Sequence, residues 1–511
     1  MARPSSAYAP RDPTSSVLHQ IVREHFETFR AHAAVQRDGD GLPRFVEEEF
    51  RAFLRCGCLA GGFARFRCTA CGLDRLVAFS CKGRGFCPRC GGRRMAERSA
   101  HLVEDVFPDV PVRQWVLSLP FRVRYVLAWD HDLCRAVVAV TMRAVLGWLR
   151  RRARLDGVQD GRGGAVAIIQ RFGGALNLNV HVHALVMDGV FTRHEAGALV
   201  FHPAPCLTDL DVAEVLATVE PRIRRLLSRR GLGDDDEAGA EDAWATDAPV
   251  LAGLAAASVQ GIVALGRHRG ARTRRLGDPP EAIEPPTPSR CHARSHGFDL
   301  HAGLRVPAGQ RERLEGVCRY ALRPPVARER LTVSGEGRVR LQLRHRRADG
   351  TTHLEWDPVD FLGRLAVLVP RPRINLVLYH GVLAPRAAWR AAVVRHTTST
   401  DRDAGAIESL PAVWGPCEPP TAVGGHGRNR LWADLMRRTF GFDVLACPRC
   451  GGRLRLVALI EQAAVIERIL HHLDLPVEVP APRPARAPPR SARDLDLAGP
   501  GDKAPMCDPC C

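Results

Sequence analysis

Lysine is almost missing from this chain. Of 511 residues only Lys82 and Lys503 are lysines, so 71 of the 73 basic side chains are arginines. A codon bias toward arginine is one explanation of that ratio and phosphate binding is the other, but codon bias explains less easily the excess of bases over the 56 acids, which leaves +17 at pH 7. Guanidinium forks bind phosphate oxygens bidentately and stay charged at any physiological pH, so the excess points to a polyanionic partner. Long apolar runs are also lacking. The longest, CRAVVAVTMRAVLGWL, carries Arg135 and Arg143 and is too polar to span a bilayer, and the first residues, MARPSSAYAPRDPTSS, hold no apolar signal core. A cytoplasmic protein with no membrane partner is expected. No three separated carboxylates stand out in the arrangement that catalysis on a ribonuclease-H-like sheet needs, and tyrosine is confined to Tyr8, Tyr125, Tyr320 and Tyr379.

What is present is a globular composition, 45% hydrophobic and 25% charged, and a length that suggests about three domains. Amphipathic helices are expected at 15–35 and 45–55, and another from Arg93 to Phe107. A strand from Arg113 to Leu119 and a helix from His131 to Arg152 follow. Two apolar strands come next, Ala165–Arg171 and Asn179–Phe191, joined by the turn GGALNL. Further on come a strand over Phe298–Val306, a helix over Gln310–Leu322 stopped by Pro324 and Pro325, a hairpin turning at Ser334–Gly337 and the apolar run INLVLYHGVL. The fold class is α+β. The expected organisation is 1–110 (helices and a zinc-binding domain), 111–396 (a catalytic domain), 397–430 (a linker), 431–475 (a small Cys-x2-Cys unit) and 476–511 (a disordered Pro/Arg tail). Residues 231–249 carry seven acids and no base and read as an exposed insertion; without them the remaining chain stands at +24.

Seventeen cysteines in a reducing compartment suggest thiols or metal ligands. Cys68-x2-Cys71 and Cys87-x2-Cys90 lie fifteen residues apart, each pair followed by glycine, a spacing that fits two knuckles closing one tetrahedral zinc site. Cys56 and Cys81 could join that site, replace a member or belong to a second; Cys58 reads as a small hydrophobe. The heptapeptide CPRCGGR occurs twice, at 87–93 and at 447–453. Cys447 and Cys450 then form half a site, which Cys507, Cys510 and Cys511 could complete only by folding back across the tail. Nearby bases, Arg84 and Arg89 among them, suit a DNA-reading module.

In NVHVHALVMDGVF, His181 and His183 stand two apart on a strand and share one face, while Val180, Val182 and Ala184 share the other. Two neutral imidazoles on a rigid strand can hold a divalent ion with positions left open for phosphate oxygens; two buried core histidines are the plainer alternative. Such an ion, Mg²⁺ or Mn²⁺, wants an oxygen donor as well. Gln170 on the neighbouring strand is the first candidate, and Asp188 and His301 are the others. Tyr320 falls on the flank of its helix, near Arg313 and Gly316 and away from the Leu314/Cys318 stripe. Its hydroxyl is a weak nucleophile that needs an activated phosphodiester, and Arg319 and Arg323 stand beside it to hold phosphates.

The segments FSCKGRGFCPRCGGRRMAE, VRQWVLSLPF, QRFGGALNLNVHVHALVMDGVF, GFDLHAGLRVPA, CRYALRPPVARERL, PRPRINLVLYHGVLAP and DVLACPRCGGR occur in that order. Together they resemble the bacterial rolling-circle insertion-sequence transposases of the IS91 type, over roughly residues 45–475. The resemblance implies a zinc ribbon with flanking helices, then an HUH endonuclease domain with a central antiparallel sheet flanked by helices. It implies structural Zn²⁺, catalytic Mg²⁺ or Mn²⁺, His181-Val182-His183 as the HUH motif and Tyr320 as the transferred tyrosine. The implied reaction is nicking of single-stranded transposon ends through a 5′-phosphotyrosine, then strand transfer to target DNA. Founding members carry two tyrosines a helical turn apart. Here Gly316 and Pro324 occupy those positions, so the chain resembles the single-tyrosine branch; Tyr379, in the strand-like run LVLYHGVLAP, reads as structural and is the remaining candidate for a second nucleophile. A replication initiator or relaxase shares this chemistry, and a non-catalytic zinc-ribbon regulator is the reading from another class.

Overall fold

The computed structural model describes residues 12–35, 41–194, 197–233, 242–266, 268–277, 291–396, 433 and 443–486. In chain order the helices are α1 (Val17–Val35), α2 (Arg44–Arg55), α3 (Pro88–Asp105), α4 (Phe121–Trp129), α5 (His131–Leu155), α6 (Asp209–Ser228), α7 (Ala243–Asp247), α8 (Pro249–Gln260), α9 (Arg311–Leu322), α10 (Pro358–Leu368), α11 (Arg390–Val394) and α12 (Ala463–His472). The strands are β1 (Phe63–Cys68), β2 (Asp74–Ala78), β3 (Val112–Ser118), β4 (Gly164–Phe172), β5 (Leu178–Met187), β6 (Gly189–Arg193), β7 (Leu199–Pro203), β8 (Arg274–Leu276), β9 (His292–Ser295), β10 (Phe298–Val306), β11 (Leu331–Val333), β12 (Val339–Gln342), β13 (His353–Trp356), β14 (Val377–Gly381) and β15 (Leu454–Ile460). The α+β class is as the sequence implies.

The centre is a six-stranded sheet in the order β14-β4-β5-β3-β10-β9, antiparallel at every pairing. Its middle strands are rich in valine, isoleucine and alanine because both faces are buried. Ala165, Ala167 and Ile169 of β4, with Val180, Val182 and Ala184 of β5, pack on one face against α5, α6, α8 and α10. Val166, Ile168, Leu185 and Met187 face the other way, under Leu102, Val103 and Val106 of α3 and Leu314, Cys318 and Ala321 of α9. The first core is continuous from Leu18 of α1 to Val369, so it crosses the boundary expected near residue 110.

Four expectations change. The strand expected over Asn179–Phe191 breaks at Asp188, whose buried carboxylate turns inward to Arg113 and Arg305; Gly189 then passes so near the His202 carbonyl that a Cβ would stand 2.2 Å from it. Helix α3 starts at Pro88, not near Arg93, because Cys87 sits at its N-cap and proline suits the first turn. The acidic stretch is not wholly exposed. Trp244 is 2% exposed, its ring stacked on Tyr125 at 4.9 Å and Trp129 at 5.3 Å, while 234–241 lie outside the described residues. In the expected disordered tail, residues 476–486 are described. There the Arg483 amide donates to the Arg23 carbonyl (2.8 Å) and the Arg486 amide to Thr28 Oγ1 (3.1 Å), both on α1. The rest of the tail lies outside the described residues, as do most of 397–442 and Cys507, Cys510 and Cys511.

A three-stranded sheet in the order β15-β1-β2 joins the two ends of the chain, and a four-stranded one, β11-β12-β13-β8, adds its inner face to the first core, with β11 against α1. No helix among the described residues is long and apolar enough to cross a membrane.

Candidate active site and cysteine clusters

Period-two geometry sets the histidines. His181 lies in register with Gln170 on β4 and Ser118 on β3, and His183 with Ile168 and Val116, all on the face that α3 and α9 cover. The two Nε2 atoms approach to 3.1 Å. The Asn179 carbonyl, 2.9 Å away, can only accept, so the proton of His181 sits on Nδ1 and its Nε2 keeps a lone pair. Burial pushes both imidazoles below their ordinary range, His183 to about 3, which keeps them neutral at physiological pH.

Behind His183, Nε2 of the Gln114 side-chain amide lies 3.0 Å from Nδ1, the orientation in which the amide donates. Turned to present its oxygen, that amide accepts Nδ1–H and leaves the His183 Nε2 lone pair free toward its neighbour. Gln114 was missed in the sequence. Its signal was a polar side chain at an inward position of an apolar strand, VRQWVLSL.

Gln170 is buried, and its Nε2 donates to the Ala321 carbonyl at 3.0 Å while its Oε1 has no partner. An orphaned buried oxygen in register with His181 fits a divalent cation, and two imidazole nitrogens plus one amide oxygen suit Mn²⁺ or Mg²⁺ better than two nitrogens alone. The other two candidates fare worse. Asp188 is 2% exposed and bound by Arg113 (2.8 and 3.0 Å) and Arg305 (2.8 Å). His301 shares the histidine face but lies two strands from His183, roughly 10 Å at the usual strand spacing.

Helix α9 carries Tyr320 to this place. Its first residue, Arg311, donates to the carbonyls of Val103, Phe107 and Pro108 at the end of α3. At its other end Pro324 lies against Gly91 in the first turns of α3. The two helices are thus tied at both ends. The Tyr320 ring meets His183 edge to face at 5.8 Å, yet the residue is 47% exposed. The Arg323 guanidinium lies 4.1 Å from that ring's centre and the Arg344 guanidinium 6.0 Å. Burial, and then the charge of Arg344, bring Arg323 below its ordinary value; burial does the same for Arg330, where Arg344 and Arg323 add to it. Arg330 Nη2 is buried and has no partner. Three guanidinium groups held within electrostatic reach of one another, one with an orphaned donor, describe an anion site.

Tyr379 differs. On β14 it is packed in the second core, in register with Val166, under the Arg390 guanidinium at 5.4 Å, and burial raises its pKa.

The cysteines do not group as the spacing suggested. Cys68 and Cys71 are not with Cys87 and Cys90; two sets of four form instead, Cys56/Cys81/Cys87/Cys90 and Cys68/Cys71/Cys447/Cys450. In the first, sulfurs lie 3.8 Å (Cys56–Cys90), 3.7 Å (Cys87–Cys56) and 3.3 Å (Cys81–Cys90) apart. In the second, Cys68–Cys450 and Cys71–Cys447 are both 3.6 Å. Sulfurs ~2.3 Å from a tetrahedral zinc ion stand ~3.8 Å from one another, so both sets have the dimensions of closed structural sites. The physical reason for the regrouping is that Cys87-x2-Cys90 is the start of a helix, not a knuckle. Cys58 stands apart, its thiol donating to the Leu54 carbonyl at 3.5 Å.

With this geometry in hand, two family models match the chain: "Transposase zinc-binding domain", of the IS91 kind, over residues 21–119, and "Putative transposase" over residues 164–390. The chain belongs to the IS91-type transposases. No curated protein and no solved structure matches it.

The matched zinc-binding region of this transposase holds the whole first cysteine set but only half of the second. The second matched region holds His181, His183, Gln170, Tyr320 and Tyr379. Of the expected phosphate-binding arginines, Arg323 adjoins the tyrosine, whereas Arg319 is drawn to Glu315 (2.7 Å). Arg84 donates to the Ile374 carbonyl (2.5 Å), and Arg89 lies over Gly57 beside the first cysteine set. Arg330 and Arg344 were not singled out: they come after α9, in the single turn ahead of β11 and in the bend just past β12, and only the packing of those segments brings them to the tyrosine.

Proposed function

We propose that this transposase is an HUH-type, single-strand DNA endonuclease and strand transferase that uses Tyr320 as its nucleophile. The observation that carries the reading is a half-exposed tyrosine held edge to face on one of two neutral, converging imidazoles, with arginines around it. His181 Nε2, His183 Nε2 and Gln170 Oε1 would hold Mg²⁺ or Mn²⁺, which supplies Lewis-acid polarisation of the scissile phosphate. Gln114 and the Asn179 carbonyl fix the two rings so that Nε2 of each faces inward. Arg323, Arg330 and Arg344 bind the phosphate oxygens and neutralise charge that builds up on them. The Tyr320 oxygen attacks phosphorus, the bond to the 3′ oxygen breaks and a 5′-phosphotyrosine forms. The phenolic proton passes to solvent and the leaving 3′ oxygen takes one up, so the product is a free 3′-hydroxyl. One phosphodiester is exchanged for another, which keeps the bond energy for rejoining to target DNA. Such a protein works in the bacterial cytoplasm, on the nucleoid.

The test is a labelled single-stranded transposon end incubated with protein and Mn²⁺ and resolved on a denaturing gel. Parent and Tyr379→Phe proteins are expected to give a covalent protein–DNA band, and Tyr320→Phe none. A Tyr320→Phe protein that nicks as well as the parent would overturn the nucleophile. Absence of any adduct with any divalent ion, while DNA is still bound, would favour the non-catalytic regulator.

A further inference from the structure

The second cysteine set draws on residues nearly four hundred positions apart, and the matched zinc-binding region, 21–119, contains only two of them. We infer that Cys68, Cys71, Cys447 and Cys450 bind a zinc ion of their own, distinct from the one at Cys56/Cys81/Cys87/Cys90, and that this ion staples the C-terminal segment onto the N-terminal sheet. The site is a zinc ribbon split between the two ends of the chain.

Each half is a knuckle of the same build. In one, the Cys68 amide donates to the Leu73 carbonyl (2.8 Å) and the Gly72 amide to the Cys68 carbonyl (3.1 Å); in the other, Cys447 donates to Gly452 (2.7 Å) and Gly451 to Cys447 (2.9 Å). Gly72 and Gly451 adopt the same left-handed turn, φ +71° and +72°. At Gly452 a side chain would press on the sulfurs, since a Cβ there would lie 3.2 Å from Cys450 Sγ and 3.3 Å from Cys68 Sγ. The halves also meet outside the sulfurs. β15 pairs with β1 from Phe63–Ile460 to Cys68–Leu454, and Ile466 and Leu470 of α12 cover Phe63.

Four thiolates leave no open position, so the site is structural. Sulfurs 3.6 Å apart are far beyond the ~2.05 Å of a disulfide. The apolar cluster around this site is small, Cys68, Cys447 and Leu454 being its buried members, and Cys450 is exposed. By contrast Cys56, Cys87 and Cys90 belong to the main core. The split site is therefore the one a chelator reaches first, and losing its metal frees the ends of the chain without opening the catalytic domain.

The test is metal analysis and native mass spectrometry of the full chain, with hydrogen exchange as a second readout. The parent is expected to carry two zinc ions. Cys447→Ser/Cys450→Ser and, separately, Cys68→Ser/Cys71→Ser are each expected to carry one. Exchange protection is expected to be lost reciprocally: over residues 63–72 in the C-terminal variant and over 447–460 in the N-terminal one, with the central sheet unchanged in both. A parent with a single zinc, a C-terminal variant that keeps two, or loss of protection confined to the mutated knuckle would each overturn the inference.

Discussion

Gly91 and Gly92 are neighbours in the first turns of α3, and the structure assigns them opposite fates on substitution by alanine. A Cβ at Gly91 would stand 2.6 Å from Pro324 Cβ and 3.5 Å from Pro324 Cα, whereas one at Gly92 would have nothing within 4 Å. Ordinary carbon contacts are ~3.5–4.0 Å, so Gly91→Ala must part α3 from the chain after α9 by about 1 Å. Overpacking of that size costs ~1–3 kcal/mol, against the ~1 kcal/mol that alanine gains over glycine inside a helix. Gly91→Ala should therefore be between neutral and about 2 kcal/mol less stable, while Gly92→Ala should be about as stable as the parent or up to ~1 kcal/mol more so. The effect on nicking should be larger than that on stability. Pro324 lies one turn past Tyr320, and misplacing a reacting group by ~1 Å can cost about a hundredfold in rate. Urea unfolding midpoints, zinc content and the single-turnover rate of adduct formation, measured on both variants, check the argument. If Gly91→Ala forms the adduct as fast as Gly92→Ala, the zinc-anchored helix does not position the tyrosine and the reasoning fails.

Asp188→Ala removes the partner of two arginines, one of them as buried as the carboxylate, and should cost ~3–5 kcal/mol in urea unfolding; an Mn²⁺ affinity equal to the parent's is expected in calorimetry, because Asp188 does not face the histidines. Gln114→Leu should weaken Mn²⁺ binding about 10- to 100-fold while leaving zinc content unchanged, since it frees the His183 ring to choose the wrong tautomer. His380 is held neutral by burial and by Arg143, with its pKa lowered to about 4 against 6.5. Its contribution to stability is complete above pH ~6.5 and is lost as pH falls toward 4, by at most about 3 kcal/mol. His380→Gln should flatten that limb of a stability-against-pH curve, and an unchanged limb would reject the assignment.

Much of the candidate site was legible because strands and helices write their faces into the sequence. The period of two placed His181 and His183 together and Val180, Val182 and Ala184 opposite, and the period of 3.6 set Tyr320 at the flank of α9. Gln170 was reachable for the same reason, being inward-facing on the adjacent strand. Gln114 left the same kind of signal on β3 and was passed over, whereas Arg330 and Arg344 were out of reach, since each comes to the site from a segment whose position depends on packing.

The two copies of CPRCGGR mark the limit of local information. Charge, the histidine pair and the scarcity of tyrosine are properties of the residues themselves, and they pointed to DNA and to Tyr320 without coordinates. At 87–93 the heptapeptide is the start of α3, with Gly91 pressed on Pro324; at 447–453 the same seven residues are a knuckle with Gly451 left-handed. Nothing within seven residues distinguishes them. What does is the neighbour each meets: the apolar core that draws α3 into a helix, and β1, whose pairing with β15 brings Cys68 and Cys71 to Cys447 and Cys450. Sulfur ligands are chosen by proximity in space, and only the folded chain supplies it.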